Sequence, residues 1–317
     1  MAPAYAGVMH PFRFAMQVST ATSGKSWRHL AQKIEGLGYS TLYIPDHFGD
    51  QWGPIVAMTV AAEATTTLNV GSLVFDNDYR HPVVLAKEIA TLDLASEGRV
   101  EFGLGAGWMR SDYDEAGLDY DDPGIRIDRM VESLDIMGDL WERGSSTRAG
   151  KHYNVVSAQG LPRPYSETRP TLVIGGGSKR VLSIAAQRAD IVGVNPSLAA
   201  GFVGAETAAS ALAGRFDERI AWVKDAAGDR MGDIELQILT FVVQIVPNRS
   251  EAIASLAPFF GVDPSEAADV PIALVGTVDD ICEILLERRE RFGFSYVVVH
   301  EAEIETFAPV VERLAGT

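Results

Sequence analysis

The stretch YIPDHFGDQW, residues 43–52, sets Asp46 and His47 directly behind a short apolar run, with Trp52 a few residues on. An imidazole titrates near neutrality, so His47 can give or take a proton, or hydrogen-bond a bound ring. The plainer reading has Asp46 capping the next segment and His47 as a solvated loop residue, and the residues alone leave the two level. A metal reading of Asp46, His47 and Asp50 is weaker, because His81 and His152 offer no partners at a fixed spacing. No metal is expected.

Two glycine-rich stretches could hold a ligand. In FGLGAGW, residues 102–108, Gly103, Gly105 and Gly107 alternate, so they share one face of a strand near its end. A dinucleotide turn would need G-x-G-x-x-G opening a helix, and Trp108 stands there instead. Close approach of a flat ligand is favoured over tight packing between strands. In VIGGGSKR, residues 173–180, Gly175, Gly176 and Gly177 end a strand and Ser178 starts a helix. Backbone N–H groups at such a helix start suit a phosphate, and Lys179 and Arg180 add positive charge. A flexible connecting loop is the plainer alternative. No G-x-x-x-x-G-K-[ST] loop and no G-x-S-x-G elbow occurs, which removes the commonest nucleotide triphosphatase and serine hydrolase signatures.

The elements that must position these residues alternate regularly. Strand-like runs at 12–18, 39–44, 68–75, 99–107, 171–177, 190–196, 234–246 and 294–300 are nearly all separated by segments of helical period. Strands alternating with helices imply parallel pairing. Eight such units in 317 residues predict a single α/β domain, a (β/α)₈ TIM barrel over 1–317. A doubly wound open sheet is the competing fold. Insertions are expected near 143–170, a polar Gly/Pro/Arg-containing stretch, and near 199–228, an Ala-rich helical one. In a barrel the chemistry sits at the carboxyl ends of the strands, which is where Asp46 and His47 fall.

A net charge of −16 repels nucleic-acid phosphates and acidic membranes, so neither is an expected partner. The single cysteine, Cys282, falls on the apolar face of a helix with Ile281, Ile284 and Leu285 and reads as packing. The N-terminal residues lack the pattern of a secretory signal, and no apolar run approaches the ~20 residues that span a bilayer. A cytoplasmic protein is expected.

PDHF, GSLVFDNDYRHPVVLAKEIATLDLASEGRVEFGLGAGW, IGGGSKR and LVGTVDDI together resemble the luciferase-like oxidoreductase superfamily, and within it the branch using the deazaflavin coenzyme F-420. The resemblance runs almost end to end. It implies a barrel with an insertion, usually dimeric, holding a flavin or deazaflavin at the strand carboxyl ends. Residue by residue, it implies His47 beside the redox-active ring with Asp46 orienting it. It also implies a bulge with a non-proline cis peptide within Gly71–Val74, where Gly71, Ser72 and Leu73 meet the ring. Ala106, Gly107 and Trp108 would contact the cofactor, and Gly175, Gly176, Gly177 and Ser178 would hold its phosphate. Sugar-phosphate dehydrogenases of the branch carry a glutamate where this chain has Trp108, and another acid soon after the first strand, where this chain reads VSTATSG. The expectation is therefore hydride transfer between coenzyme F-420 and a small organic molecule, with Trp52 and Trp108 as apolar walls of the substrate pocket. The alternatives are a monooxygenase using FMN (flavin mononucleotide) reduced by a partner reductase, and a non-catalytic flavin-binding protein.

Overall fold

The computed structural model describes residues 9–20, 22–165 and 168–317. The N-terminal residues screened for a signal lie mostly outside the described ones. Eight strands carry the fold: β1 (Arg13–Gln17), β2 (Thr41–Ile44), β3 (Asn69–Ser72, resuming at Phe75–Asp76), β4 (Val100–Gly105), β5 (Thr171–Gly176), β6 (Ile191–Val194), β7 (Glu235–Leu239) and β8 (Phe294–His300). Hydrogen-bonded neighbours run β3-β2-β1-β8-β7-β6-β5-β4, and β4 pairs back with β3. The fold is the closed parallel (β/α)₈ barrel. β1, β2, β4, β6 and β8 are almost wholly buried, as strands covered on both faces must be, and they read as near-continuous runs of branched and aromatic residues.

The chain packs as two compact units. One holds Ser19–Gln32 and Leu42–Val173; the other holds β1, Lys33–Thr41 and Ile174–Thr317. Inside the first, the Tyr43 hydroxyl donates to Glu101, which also accepts from the Asn69 amide at 3.3 Å. Inside the second, Arg13 lies 3.9 Å over the Tyr296 ring and reaches Glu235 at 2.7 Å. Each of these charges thus has its partner on a neighbouring or next-but-one strand.

Two boundaries differ from the sequence reading. The run 234–246 is two strands, because Thr240 turns its backbone N–H and its hydroxyl onto the Val298 carbonyl at the end of β7. Val242–Ile245 then leaves the barrel and pairs in parallel with Ala273–Gly276. The second expected insertion, 199–228, contains the β6–β7 crossover helix itself, Ala213–Ala227, so the surplus there is the loop and the short helix Ala205–Ser210. The first, 143–170, is an antiparallel excursion of Ser145–Ala149 against Asn154–Gln159. Cys282 is buried, as its place on the apolar face of Val278–Phe292 requires. Among the described residues no helix is long and apolar enough to cross a membrane.

Candidate active site

β2 ends at Ile44, and its continuation carries Asp46 and His47 to the carboxyl end of the barrel. His47 is partly exposed, and its Nδ1 lies 2.6 Å from Oδ2 of Asp112, which is 4% exposed. The same carboxylate oxygen accepts from the Tyr79 hydroxyl at 3.2 Å. Burial, then the charges of Asp76 and Asp112, push the Tyr79 phenol far up, so it stays a donor. Nδ1 of His47 therefore donates to Asp112, and Nε2 is left for exchange with a ligand. The Trp108 ring stands edge-on to the imidazole, 5.7 Å away at 87°.

Asp46 does not orient His47. It is buried, and Arg80 grips it at 2.5 and 3.0 Å while the backbone N–H of Asp76 donates to it at 3.1 Å. It fixes the end of β3 to the end of β2. The orienting carboxylate is Asp112, in the first turn of the short helix Arg110–Ala116. No spacing rule ties residue 112 to residue 47, and an acid in a first helical turn reads as favouring the helix dipole. Tyr79 and Arg80 were missed for the same reason.

The next residue, Tyr113, anchors a second cluster. Its hydroxyl lies 3.1 Å from both oxygens of Asp76 and 3.0 Å from Asp78, which Arg129 pairs at 2.9 Å. Burial, and then the nearby charges of Asp78 and Asp46, raise the Asp76 carboxyl to about 7, against the hydrogen bonds from Asp78 and Tyr113 that lower it.

Between β3's two segments the Leu73–Val74 peptide is cis, so the expected non-proline cis bond is present within Gly71–Val74. Ser72 is fully buried, and its hydroxyl has no hydrogen-bond partner among the described residues. The glycine alternation on β4 answers to this bulge. A side chain at Gly103 would strike the Ser72 carbonyl at 2.0 Å, and one at Gly105 would strike Val74 at 2.6 Å. Packing, not ligand approach, accounts for those two glycines. Gly71 is also hemmed in, by the Glu101 carbonyl and the Tyr43 ring. Ala106, Gly107 and Trp108 are half-buried, and their backbone is held from behind. Buried Arg126 donates to the Gly107 carbonyl at 2.5 Å, and the Tyr120 hydroxyl to that of Trp108 at 2.9 Å.

Trp52 is not beside Trp108. It stacks on Trp27 at 5.4 Å, and its indole N–H donates to the Thr22 carbonyl at 2.9 Å. Among the described residues no ring contact joins the two tryptophans expected as pocket walls.

In the other unit, Gly175–Ser178 closes β5 and starts the helix Lys179–Arg188. Ser178 caps it by accepting from the Val181 N–H at 3.3 Å. Lys179 and Arg180 are exposed. A side chain at Gly177 would meet the Pro196 carbonyl at 2.5 Å, so glycine is needed there whether or not a phosphate binds. The residues fit a flavin-type group. In the one unit an orphan hydroxyl and half-open backbone suit the hydrogen-bonding edge of a flat heterocycle; taken by itself, the capped helix start of the other suits a phosphate.

The family model described as luciferase-like monooxygenase matches residues 5–272. The chain belongs to that family. Among the family's curated members, it is 28% identical over 155 residues to an F-420-dependent glucose-6-phosphate dehydrogenase of Amycolatopsis mediterranei, covering 46% of each protein. It is 34% identical over 111 residues to the pyrimidine monooxygenase RutA of Methylobacterium radiotolerans, covering 34% of this chain and 29% of that one. These matches span less than half the length of either relative. The coenzyme F-420-dependent tetrahydromethanopterin reductase of Methanopyrus kandleri superposes with a TM-score of 0.76 over 96% of this chain and all of that one, at 18% identity, which shows the shared barrel.

Proposed function

We propose that the protein is an oxidoreductase moving a hydride between coenzyme F-420 and a small, neutral organic substrate, with His47 handling the accompanying proton. The observation carrying this reading is the His47–Asp112–Tyr79 set. Hydride delivery to a carbonyl leaves an oxygen that must gain a proton, and the reverse reaction must remove one. An imidazole fixed at Nδ1 by a buried carboxylate presents Nε2 for that transfer and stabilises the charge it acquires. The coenzyme, when bound, supplies or accepts the hydride. The likeness to F-420-dependent relatives supports that choice of coenzyme.

Trp108 beside His47 gives the substrate side of the imidazole an apolar neighbour, which suits an alcohol, aldehyde, ketone or enone better than a sugar phosphate. The setting proposed is a cytoplasmic homodimer with a small-molecule substrate. A second reading, an FMN monooxygenase fed by a separate reductase, is favoured by the likeness to the pyrimidine monooxygenase. Fluorescence titration with F-420 and with FMN separates them. Tighter binding of F-420 is expected, and equal or reversed affinities favour the monooxygenase. Light scattering checks the dimer.

A further inference from the structure

Elementary peptide geometry shows what the Gly175–Ser178 loop offers. In a planar trans peptide the carbonyl and the following N–H point in opposite directions. The Gly176 carbonyl accepts from the Asn195 N–H at 3.0 Å, so the Gly177 N–H faces away from Asn195. The Gly177 carbonyl accepts from Nε of Arg219 at 3.1 Å, so the Ser178 N–H faces away from Arg219. Among the described residues the N–H groups of Gly177, Ser178 and Lys179 have no acceptor. Ser178 is extended, at φ −98° and ψ 150°, and these N–H groups are the open donors of a helix start, which suit an anion.

Arg219 is the side chain that holds this arrangement. It lies on the crossover helix Ala213–Ala227 and is 4% exposed. Its Nη1 donates to the Ser210 carbonyl at 2.6 Å, tying that loop to the glycine turn. Its Nη2 has no acceptor, and no carboxylate lies within ion-pair distance among the described residues. Burial alone does not set it apart, because Arg288 is buried too. Arg288, however, donates both its Nη atoms to the carbonyls of Val270 and Pro271. The charge of Glu218 supports the guanidinium from a distance, and an anion at the turn would add the direct partner it lacks.

We infer that Arg219 is a positioning residue for the phosphate of the flavin-type coenzyme: it pins the Gly177 carbonyl and so fixes the turn that opens the helix Lys179–Arg188, leaves the N–H groups of that helix start to the phosphate, and supplies buried positive charge behind the turn. This rests on the proposed coenzyme class, but not on the choice between deazaflavin and flavin. FMN and riboflavin share a ring and differ by the phosphate, so the ratio of their dissociation constants reads the phosphate site alone. F-420 and its deazariboflavin core form a second pair, in which the phosphate comes together with a lactyl-glutamate tail.

In the wild-type protein the phosphate-bearing member of at least one pair is expected to bind about tenfold tighter or more, the range of charge-assisted hydrogen bonds. Arg219→Gln should cut that ratio to under about threefold while leaving the phosphate-free affinity unchanged, and Arg219→Lys should retain an intermediate ratio. A full ratio in folded Arg219→Gln overturns the inference, as does a ratio near one in the wild type. If Arg219→Gln does not fold, the Lys variant and wild-type competition decide. Inorganic phosphate must displace FMN and leave riboflavin bound, and an intermediate Lys ratio must remain; failure of either overturns the inference. A preference for FMN over F-420 with these results intact would reject the proposed coenzyme and spare Arg219.

Discussion

His47 takes its orientation from a carboxylate sixty-five positions along the chain, and that pairing defines what single substitutions should do. His47→Ala should lower turnover by roughly 10²–10⁴-fold, the range of a positioned acid–base group. His47→Asn should recover little, because an amide donates a hydrogen bond but does not titrate. Asp112→Asn should cost about 10–100-fold, the worth of one hydrogen bond to a charged group, with coenzyme affinity nearly unchanged. Steady-state rates of the three variants, read beside a coenzyme titration, check this, and full activity in both His47 variants would reduce the pair to a loop feature. Asp76 belongs to a different kind of test. Its folded carboxyl holds a proton up to about 7, whereas an unfolded one loses it near 4. Between those values the folded state binds more protons, so the stability present below pH 4 is lost as pH rises through 7. Asp76→Asn removes this dependence. Between pH 5 and pH 8 the wild type should lose about 2–3 kcal/mol more than the variant in urea unfolding.

At the level of elements, the short helix Arg110–Ala116 serves both clusters, sending Asp112 to His47 and Tyr113 to Asp76. The turn before it depends on Gly107, at φ +76°, where a side chain would meet the Tyr113 hydroxyl at 1.9 Å and Asp76 at 2.5 Å. Gly107→Ala should therefore destabilise the protein by about 1–3 kcal/mol or more, and weaken coenzyme binding through the displaced Ala106–Trp108 backbone. A variant with wild-type unfolding midpoint and affinity would contradict that placement. The sequence made such turns visible but not their causes. Alternating Gly103 and Gly105 read as room for a ligand because a strand pattern does not reveal that the neighbouring strand bulges into the same space. Asp46 and His47 are adjacent in sequence, which suggested a pair, yet adjacent residues past a strand end diverge and each found a distant partner. Trp52 was placed by its aromatic type alone, and its stacking on Trp27 is a tertiary contact without a local signal.

For the molecule as a whole, the barrel was legible because all eight strands announce themselves as apolar runs between helical periods. The one long run misread, 234–246, is apolar on both sides of Thr240 and shows no turn residue where the chain leaves the sheet. Charge is the other whole-molecule property, and it opposes the proposed ligand: a chain of −16 must admit an anionic coenzyme. Ionic strength decides which charges that ligand feels. At about 0.01 M salt the screening length is about 30 Å and the net negative charge dominates the approach; at about 0.15 M it shrinks to about 8 Å, leaving the exposed Lys179 and Arg180 beside the loop as the nearest field. Association of the phosphate-bearing ligand should thus speed up as salt rises over that range, the reverse of ordinary steering between opposite charges. Riboflavin, which has no charge to repel, should associate at a constant rate. Stopped-flow fluorescence with FMN and riboflavin across that series separates the outcomes. An FMN rate that falls with salt would mean that the local cations outweigh the whole-molecule charge even at long range, and Lys179→Ala with Arg180→Ala should then reverse the trend.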